Sequence, residues 1–190
     1  MILVALDLAT NVGACWGAPD RLPTLLHHRL PSTGDDVGAF LAAFEDWFVE
    51  LLDAARPDEV CFEAPVLPRA KFNRQTKKVE GGVSLITTRK LQGLAGEVER
   101  ICFRRQLVCT EAQPAEVKKA LTGKGNATKG EMVRACRAFG LSPFTYVRDG
   151  EEASDEADGF GVWLARMRIR CPEHRAFWEA PAPLIDGVVG

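Results

Sequence analysis

Hydrophobic residues fall along this chain in two periods, and the switches between them outline the elements. Residues 2–7 and 11–17 run apolar or alternate around a break at Thr10-Asn11, which predicts a hairpin. A third strand at about 24–30 extends it into a meander. Gly34 to Asp36 supplies turn and cap chemistry. Phe40, Leu41, Phe44, Trp47, Phe48, Leu51 and Leu52 then recur at helical spacing, and Pro57 stops the helix. Glu59 to Glu63 predicts a fourth strand. Residues 65–82 show no clear period, and a connection of that length is often functional. A helix is predicted at about 83–104 through Leu85, Leu91, Leu94, Val98 and Ile101, followed by a strand at 107–110. Pro114 can open a short helix ending near Leu121. Thr128 can cap another, running to about Phe139, with Glu131 closing a capping box. A loop containing Pro143 and Gly150 leads to a last helix at about 153–169, and the Pro-rich end is expected to pack back as a strand or arm.

Three strands, a helix, a strand, a helix, a strand and further helices predict an α/β fold. Its mixed five-stranded sheet would carry helices on its faces, with Asp7 and Glu63 on neighbouring strands. At 190 residues the chain suits one domain over residues 1–170, with 171–190 as an extension packed on it. No apolar run approaches the ~20 residues of a membrane span, and no basic-then-apolar leader precedes the first strand. A soluble, cytoplasmic protein is expected. The six cysteines lack C-x-x-C spacing and read as reduced core residues, and His27, His28 and His174 read as solvated or satisfied side chains rather than ligands.

Four acids stand apart. Asp7 closes the apolar run Met1-Ile-Leu-Val-Ala-Leu-Asp7, and Glu63 closes Val60-Cys-Phe-Glu63. A carboxylate at the end of a buried strand is costly unless a positive group meets it. Asp155 and Asp158 are three apart at the start of a helix, so they share one face. Carboxylates converging from separate elements suit a divalent cation, since hard cations prefer oxygen ligands. Capping against the helix dipole is the plainer role open to the Asp155/Asp158 pair. Asp149, Glu152 and Glu156 lie off that face or in the preceding loop and are read as bystanders.

The net charge of −2 hides a segregation. Residues 68–80 hold five cations (Arg69, Lys71, Arg74, Lys77 and Lys78) against Glu80. Residues 118–137 hold Lys118, Lys119, Lys124, Lys129, Arg134 and Arg137 against Glu131. Two basic stretches beside an acidic centre suit a polyanion whose backbone must approach metal-binding carboxylates.

This order of elements and acids resembles the RNase H-like nuclease fold, and within it the RuvC family of Holliday-junction resolvases. Leu3-Val-Ala-Leu-Asp7 and Val60-Cys-Phe-Glu63 resemble the family's acid-bearing strands. Thr88-Arg-Lys-Leu-Gln-Gly-Leu-Ala-Gly96 resembles its small-residue helix, and Asp155-Glu-Ala-Asp158 its closing D-x-x-D. The block from Ala115 to Val133, with Lys118, Lys119 and Lys129, resembles the segment that lies against DNA. The chain departs from the pattern at Leu8-Ala9-Thr10, where a proline-glycine is usual, and at Val66, where an aromatic is usual; Phe72 is the replacement candidate for wedging bases.

The resemblance implies a metal-dependent endodeoxyribonuclease that resolves four-way DNA junctions by paired nicks. Two Mg²⁺ ions, replaceable by Mn²⁺, would be held by Asp7, Glu63, Asp155 and Asp158. Lys118, Lys119, Lys129, Arg69, Lys71, Phe72, Arg74, Lys77 and Lys78 would contact DNA, and a homodimer would supply two sites. Cleavage of flaps, forks or structured RNA by the same fold is the alternative. A non-catalytic junction-binding module, or a sugar-kinase or actin-like ATPase suggested by Asp7-Leu-Ala-Thr10-Asn-Val-Gly13, is a more distant one.

Overall fold

A computed structural model describes residues 1–65, 71–73, 78–80, 82 and 84–178. Its central sheet has five strands in the order β3-β2-β1-β4-β7. β1 (Leu3–Asp7), β2 (Asn11–Gly17) and β3 (Thr24–Arg29) form the antiparallel meander. β4 (Glu59–Glu63) pairs parallel with β1, and β7 (Val108–Ala112) pairs parallel with β4. The mixed α/β sheet expected from the sequence is therefore the sheet observed.

Each face of the sheet buries its own core. On one face lie α1 (Val37–Ala55) and α2 (Leu85–Arg104). The i, i+4, i+8 series Phe40, Phe44 and Phe48 turns inward there against Val4, Leu6, Val60 and Phe62. Asp36 caps α1 by accepting from the Ala39 amide at 2.9 Å, and Ser84 caps α2 through Thr87 at 3.0 Å. On the other face α3 (Pro114–Thr122), α4 (Lys129–Ala138) and α5 (Asp155–Arg170) gather around Leu3, Ala5, Cys15 and Cys61. Thr128 and Glu131 form the expected capping box at the head of α4. All six cysteines are free, and five of them are buried.

Three segments differ from expectation. The connection after Glu63 contains two short paired strands, β5 (Lys71–Asn73) and β6 (Lys78–Glu80). The loop before α5 contains a hairpin, β8 (Tyr146–Arg148) and β9 (Glu151–Ala153). Asp149 and Gly150 both take positive φ at its tip, the backbone that a tight two-residue hairpin turn needs. Beyond α5 the chain forms a 3-10 turn (Pro172–His174) and a short helix, α6 (Arg175–Trp178), rather than a strand. Trp178 is buried edge-on against Trp163 at 4.8 Å, and its carbonyl accepts from Arg168 at 2.9 Å. No described helix is long and apolar enough to cross a membrane.

Candidate metal centre

The parallel register sets Leu6 beside Phe62, so Asp7 and Glu63 follow side by side at the ends of their strands. The antiparallel register sets Asp7 opposite Gly13, and Gly13 opposite His27. A row Asp7–Gly13–His27 thus crosses the sheet, and the head of α5 lies on it. It can do so because Gly13 has no side chain: a Cβ there would stand 1.8 Å from the Asp155 backbone oxygen. The second glycine of the contact is Gly159, whose Cβ would meet the Gly13 carbonyl group at 2.9 Å. Gly161 turns toward Val117 and Met132 of α3 and α4.

This packing delivers Asp155 and Asp158, both buried, to Asp7. Carboxylate oxygens of these three residues all lie within 4.8 Å of one another. Glu63 stands outside that closest group but within its field. Burial and the charges of Asp158, Glu63 and Asp155 hold the Asp7 carboxyl well above the usual carboxylate range, against the opposing pull of Lys129. Burial, then Asp158, pushes Glu63 up to about 7, with Lys129 and Lys118 opposing. Asp158 is raised by burial although Lys129 pulls it down.

Among the described residues the cation paired with these acids is Lys129, the first residue of α4, whose ammonium forms an ion pair with Asp158 Oδ2. Burial acts to lower the Lys129 pKa, yet Asp158, Asp7 and Glu63 together hold it above normal. Asp155 is fixed differently. The Tyr146 hydroxyl donates to Asp155 Oδ1 at 2.8 Å, while Oδ2 is buried without a hydrogen-bond partner, 3.7 Å from His27 Nε2. The His27 ring stacks on Phe144 at 5.4 Å.

The donor set fits a divalent cation. It is all oxygen, it crowds like charges that one lysine does not neutralise, and it leaves a buried carboxylate oxygen unpartnered.

Lys118 is half-buried within the field of Glu63 and Asp158, whereas the next residue, Lys119, is exposed. Lys119 lines a separate cavity of about 390 Å³ with Cys61, Glu111, Arg166 and Ile169. Arg69, Arg74 and Lys77 lie outside the described residues, as do the side chains of Lys71, Phe72 and Lys78. Among the bystanders, Glu152 is held by both terminal nitrogens of Arg137, at 2.9 and 2.6 Å, and Glu156 accepts from the Phe144 amide at 2.7 Å.

Among the described residues, Tyr146 and His27 are neighbours of the acids that the sequence did not point to. The Asp149-Gly150 pair between short β-prone runs was the available signal for the hairpin that carries Tyr146. His27 had none short of the strand register.

No family model matches the chain. The crossover junction endodeoxyribonuclease RuvC of Salinibacter ruber is 30% identical over 136 residues, covering 72% of this chain. The match spans 65% of that protein, just under two thirds of its length. RuvC of Halorhodospira halophila is 29% identical over 157 residues, covering 81% of this chain and 80% of the relative. Among solved structures, Thermus thermophilus RuvC in complex with a Holliday junction substrate superposes with a TM-score of 0.63 at 22% identity, over 92% of this chain and 97% of that one. The resemblance read from the ordered acids and the lysine block is thus met in sequence and in fold. The chain is RuvC-like, in sequence over most of its length and in fold over nearly all of it.

Proposed function

We propose that this protein is a structure-specific endodeoxyribonuclease that resolves four-way DNA junctions, with Asp7, Glu63, Asp155 and Asp158 as its metal-binding catalytic acids. The observation that carries the reading is the convergence of three carboxylates from β1 and α5 within 4.8 Å, beside a fourth on β4 with its pKa near 7. Buried acids held this close favour a fold that binds cations over one that does not. The ions proposed are two Mg²⁺, with Mn²⁺ as substitute. When bound, they supply an activated water and relieve charge on the leaving oxygen.

The chain's own residues account for the rest. Asp7 is central, in the field of all three other acids, and would hold the bound cations together with them. Lys129 pairs with Asp158 and is proposed as the cation that would also meet the scissile phosphate. Lys118 adds positive potential on the same side. Lys119, exposed and turned to the neighbouring cavity, would reach only flanking backbone. Arg69, Lys71, Arg74, Lys77 and Lys78 are proposed as backbone contacts and Phe72 as the base wedge, on their sequence alone. Residues 1–170 are proposed as the nuclease body, with the chain beyond packed on it. Two symmetric nicks need two such sites, so the working form is proposed to be a homodimer.

The test is cleavage of a labelled mobile four-way junction, with flap, fork and duplex controls, in Mg²⁺, Mn²⁺ and EDTA. Asp7→Asn runs alongside. Paired symmetric nicks, lost in EDTA and in the variant, establish the reading. Preferred cutting of flaps or forks changes the substrate but not the chemistry, and tight junction binding without cleavage in either metal removes the enzyme.

A further inference from the structure

Asp155 differs from the other acids in having a neutral partner. Its Oδ1 accepts from the Tyr146 hydroxyl at 2.8 Å, and its Oδ2 has no hydrogen bond despite full burial. The hairpin is built to deliver that hydroxyl. Tyr146 pairs with Ala153 at the open end of β8–β9, and Ala153 is followed by the cap Ser154 and then Asp155. Strand register therefore fixes the ring beside the carboxylate nine residues on. The hairpin itself is pinned from two sides. Arg137 of α4 holds Glu152 of β9, and Glu156 of α5 holds the backbone just before β8 through the Phe144 amide.

We propose that Tyr146 is a positioning residue for the metal centre: it occupies Asp155 Oδ1 and orients the carboxylate so that Oδ2 is the oxygen offered to the cation. The inference rests on the metal-binding reading above and adds a residue outside the four acids. A carboxylate with both oxygens free can rotate or bridge, whereas one held on a single side presents one defined donor. Partners that fix a ligand in this way contribute about 10–100-fold to metal affinity in other sites. The phenol suits the role because it donates without adding charge. A lysine or arginine in its place would compete with the cation for the same carboxylate.

Two measurements decide it, neither needing DNA. In the first, metal-free wild type and Tyr146→Phe are titrated with Mn²⁺, with free ion followed by its electron paramagnetic resonance signal. The variant keeps the ring and loses only the hydroxyl. Its Mn²⁺ Kd should rise about tenfold or more while its melting temperature in EDTA stays near that of wild type. In the second, Tyr146 is the only tyrosine in the chain, so 3-fluorotyrosine labelling gives one ¹⁹F resonance. That resonance should move on adding Mg²⁺ over the range in which Mg²⁺ displaces Mn²⁺. The labelled chain carries no substitution, so this readout does not depend on the variant folding. Equal Mn²⁺ affinities in the two proteins, or a resonance that Mg²⁺ leaves in place, overturn the positioning role while leaving the metal centre standing. Absence of Mn²⁺ binding by wild type overturns the metal reading and this inference with it.

Discussion

Gly13 of β2 and Asp155 of α5 meet backbone to backbone, with room for no atom between them: a Cβ on Gly13 would lie 1.8 Å from the Asp155 oxygen. The contact sits on the row that also carries Asp7 and His27, so it fixes how near the α5 acids come to the β1 acid. Gly13→Ala must lift the head of α5 off the sheet, and a backbone oxygen cannot move aside as a side-chain end can. The expected result is a stability loss of about 3 kcal/mol or more and cleavage at background. Gly96 is the contrasting case, exposed inside α2 with nothing within 4 Å of its Cβ direction. Gly96→Ala should raise stability by up to ~1 kcal/mol through helix propensity. Thermal melts of both variants check the pair; a Gly13→Ala protein that melts like wild type would show that the close approach does not govern the site.

How far the site was legible depended on whether short-range pattern or long-range register sets each residue's place. Asp7 and Glu63 were legible because a carboxylate ending a buried apolar run contradicts its surroundings. Asp155 and Asp158 were legible because a spacing of three on a helix gives a shared face. His27 was not. It reaches Asp155 only because β3 pairs with β2 in the register that puts it opposite Gly13, which the period along β3 does not reveal. Lys118 and Lys119 read alike in sequence, but successive helical positions point about 100° apart. Only Lys118 lies in the field of the acids. Trp178 is expected to pack back with the end of the chain, but its particular seat, edge-on against Trp163, depends on a long-range contact that no local pattern reveals.

Glu63 gives the metal-free protein a pH dependence of definite sign. Its carboxyl is raised from 4.5 to about 7, so between those values the folded chain binds a proton that the unfolded chain has released. Stability from this group is complete below about 4.5 and is lost as pH rises through about 7. In EDTA the melting temperature should therefore fall from pH 5 to pH 8. Excess Mg²⁺ should oppose the fall, because the cation takes the place of the proton. Asp7→Asn removes one of the mutually repelling charges and should melt higher than wild type in EDTA at pH 8, with no gain from Mg²⁺. Melts at several pH values in EDTA and in Mg²⁺ check all three statements, and a wild-type melting temperature that climbs between pH 5 and 8 in EDTA contradicts the first.

Lys129 acts on the acids in two opposite ways. It neutralises Asp158, which steadies the metal-free cluster, and under the proposed function it is a cation beside the place another cation would occupy. Lys129→Met should therefore bind Mn²⁺ more tightly than wild type. Cleavage should nevertheless fall about 100-fold or more, as expected when a charge poised at a reacting phosphate is lost. A lysine that only gripped DNA would behave otherwise: junction affinity would drop, its salt dependence would flatten by about one unit, and metal affinity would not change. Mn²⁺ titration and single-turnover cleavage at saturating protein separate the two cases.

Glu59 anchors the far end of the strand that carries Glu63. It is almost fully buried, paired with Arg166 of α5 and, at 3.0 Å, with Arg170, and it accepts from the Thr110 hydroxyl at 3.2 Å. The cluster thus ties β4, β7 and the last turns of α5 together. A neutral amide at this position would leave the Arg166 guanidinium, itself largely buried, without its counter-charge. Breaking such a pair from one side costs about 3 kcal/mol, toward the low end of the usual range because Arg170 is half-exposed. Glu59→Gln should lower the melting temperature by on the order of 10 °C. Four residues of strand, about 13 Å, separate it from Glu63, so Mn²⁺ affinity and junction cleavage measured well below the melt should match wild type. A variant that melts normally would mean the buried pair only breaks even against its desolvation. One that folds normally but binds Mn²⁺ poorly would mean the far end of α5 controls the placement of its first turn.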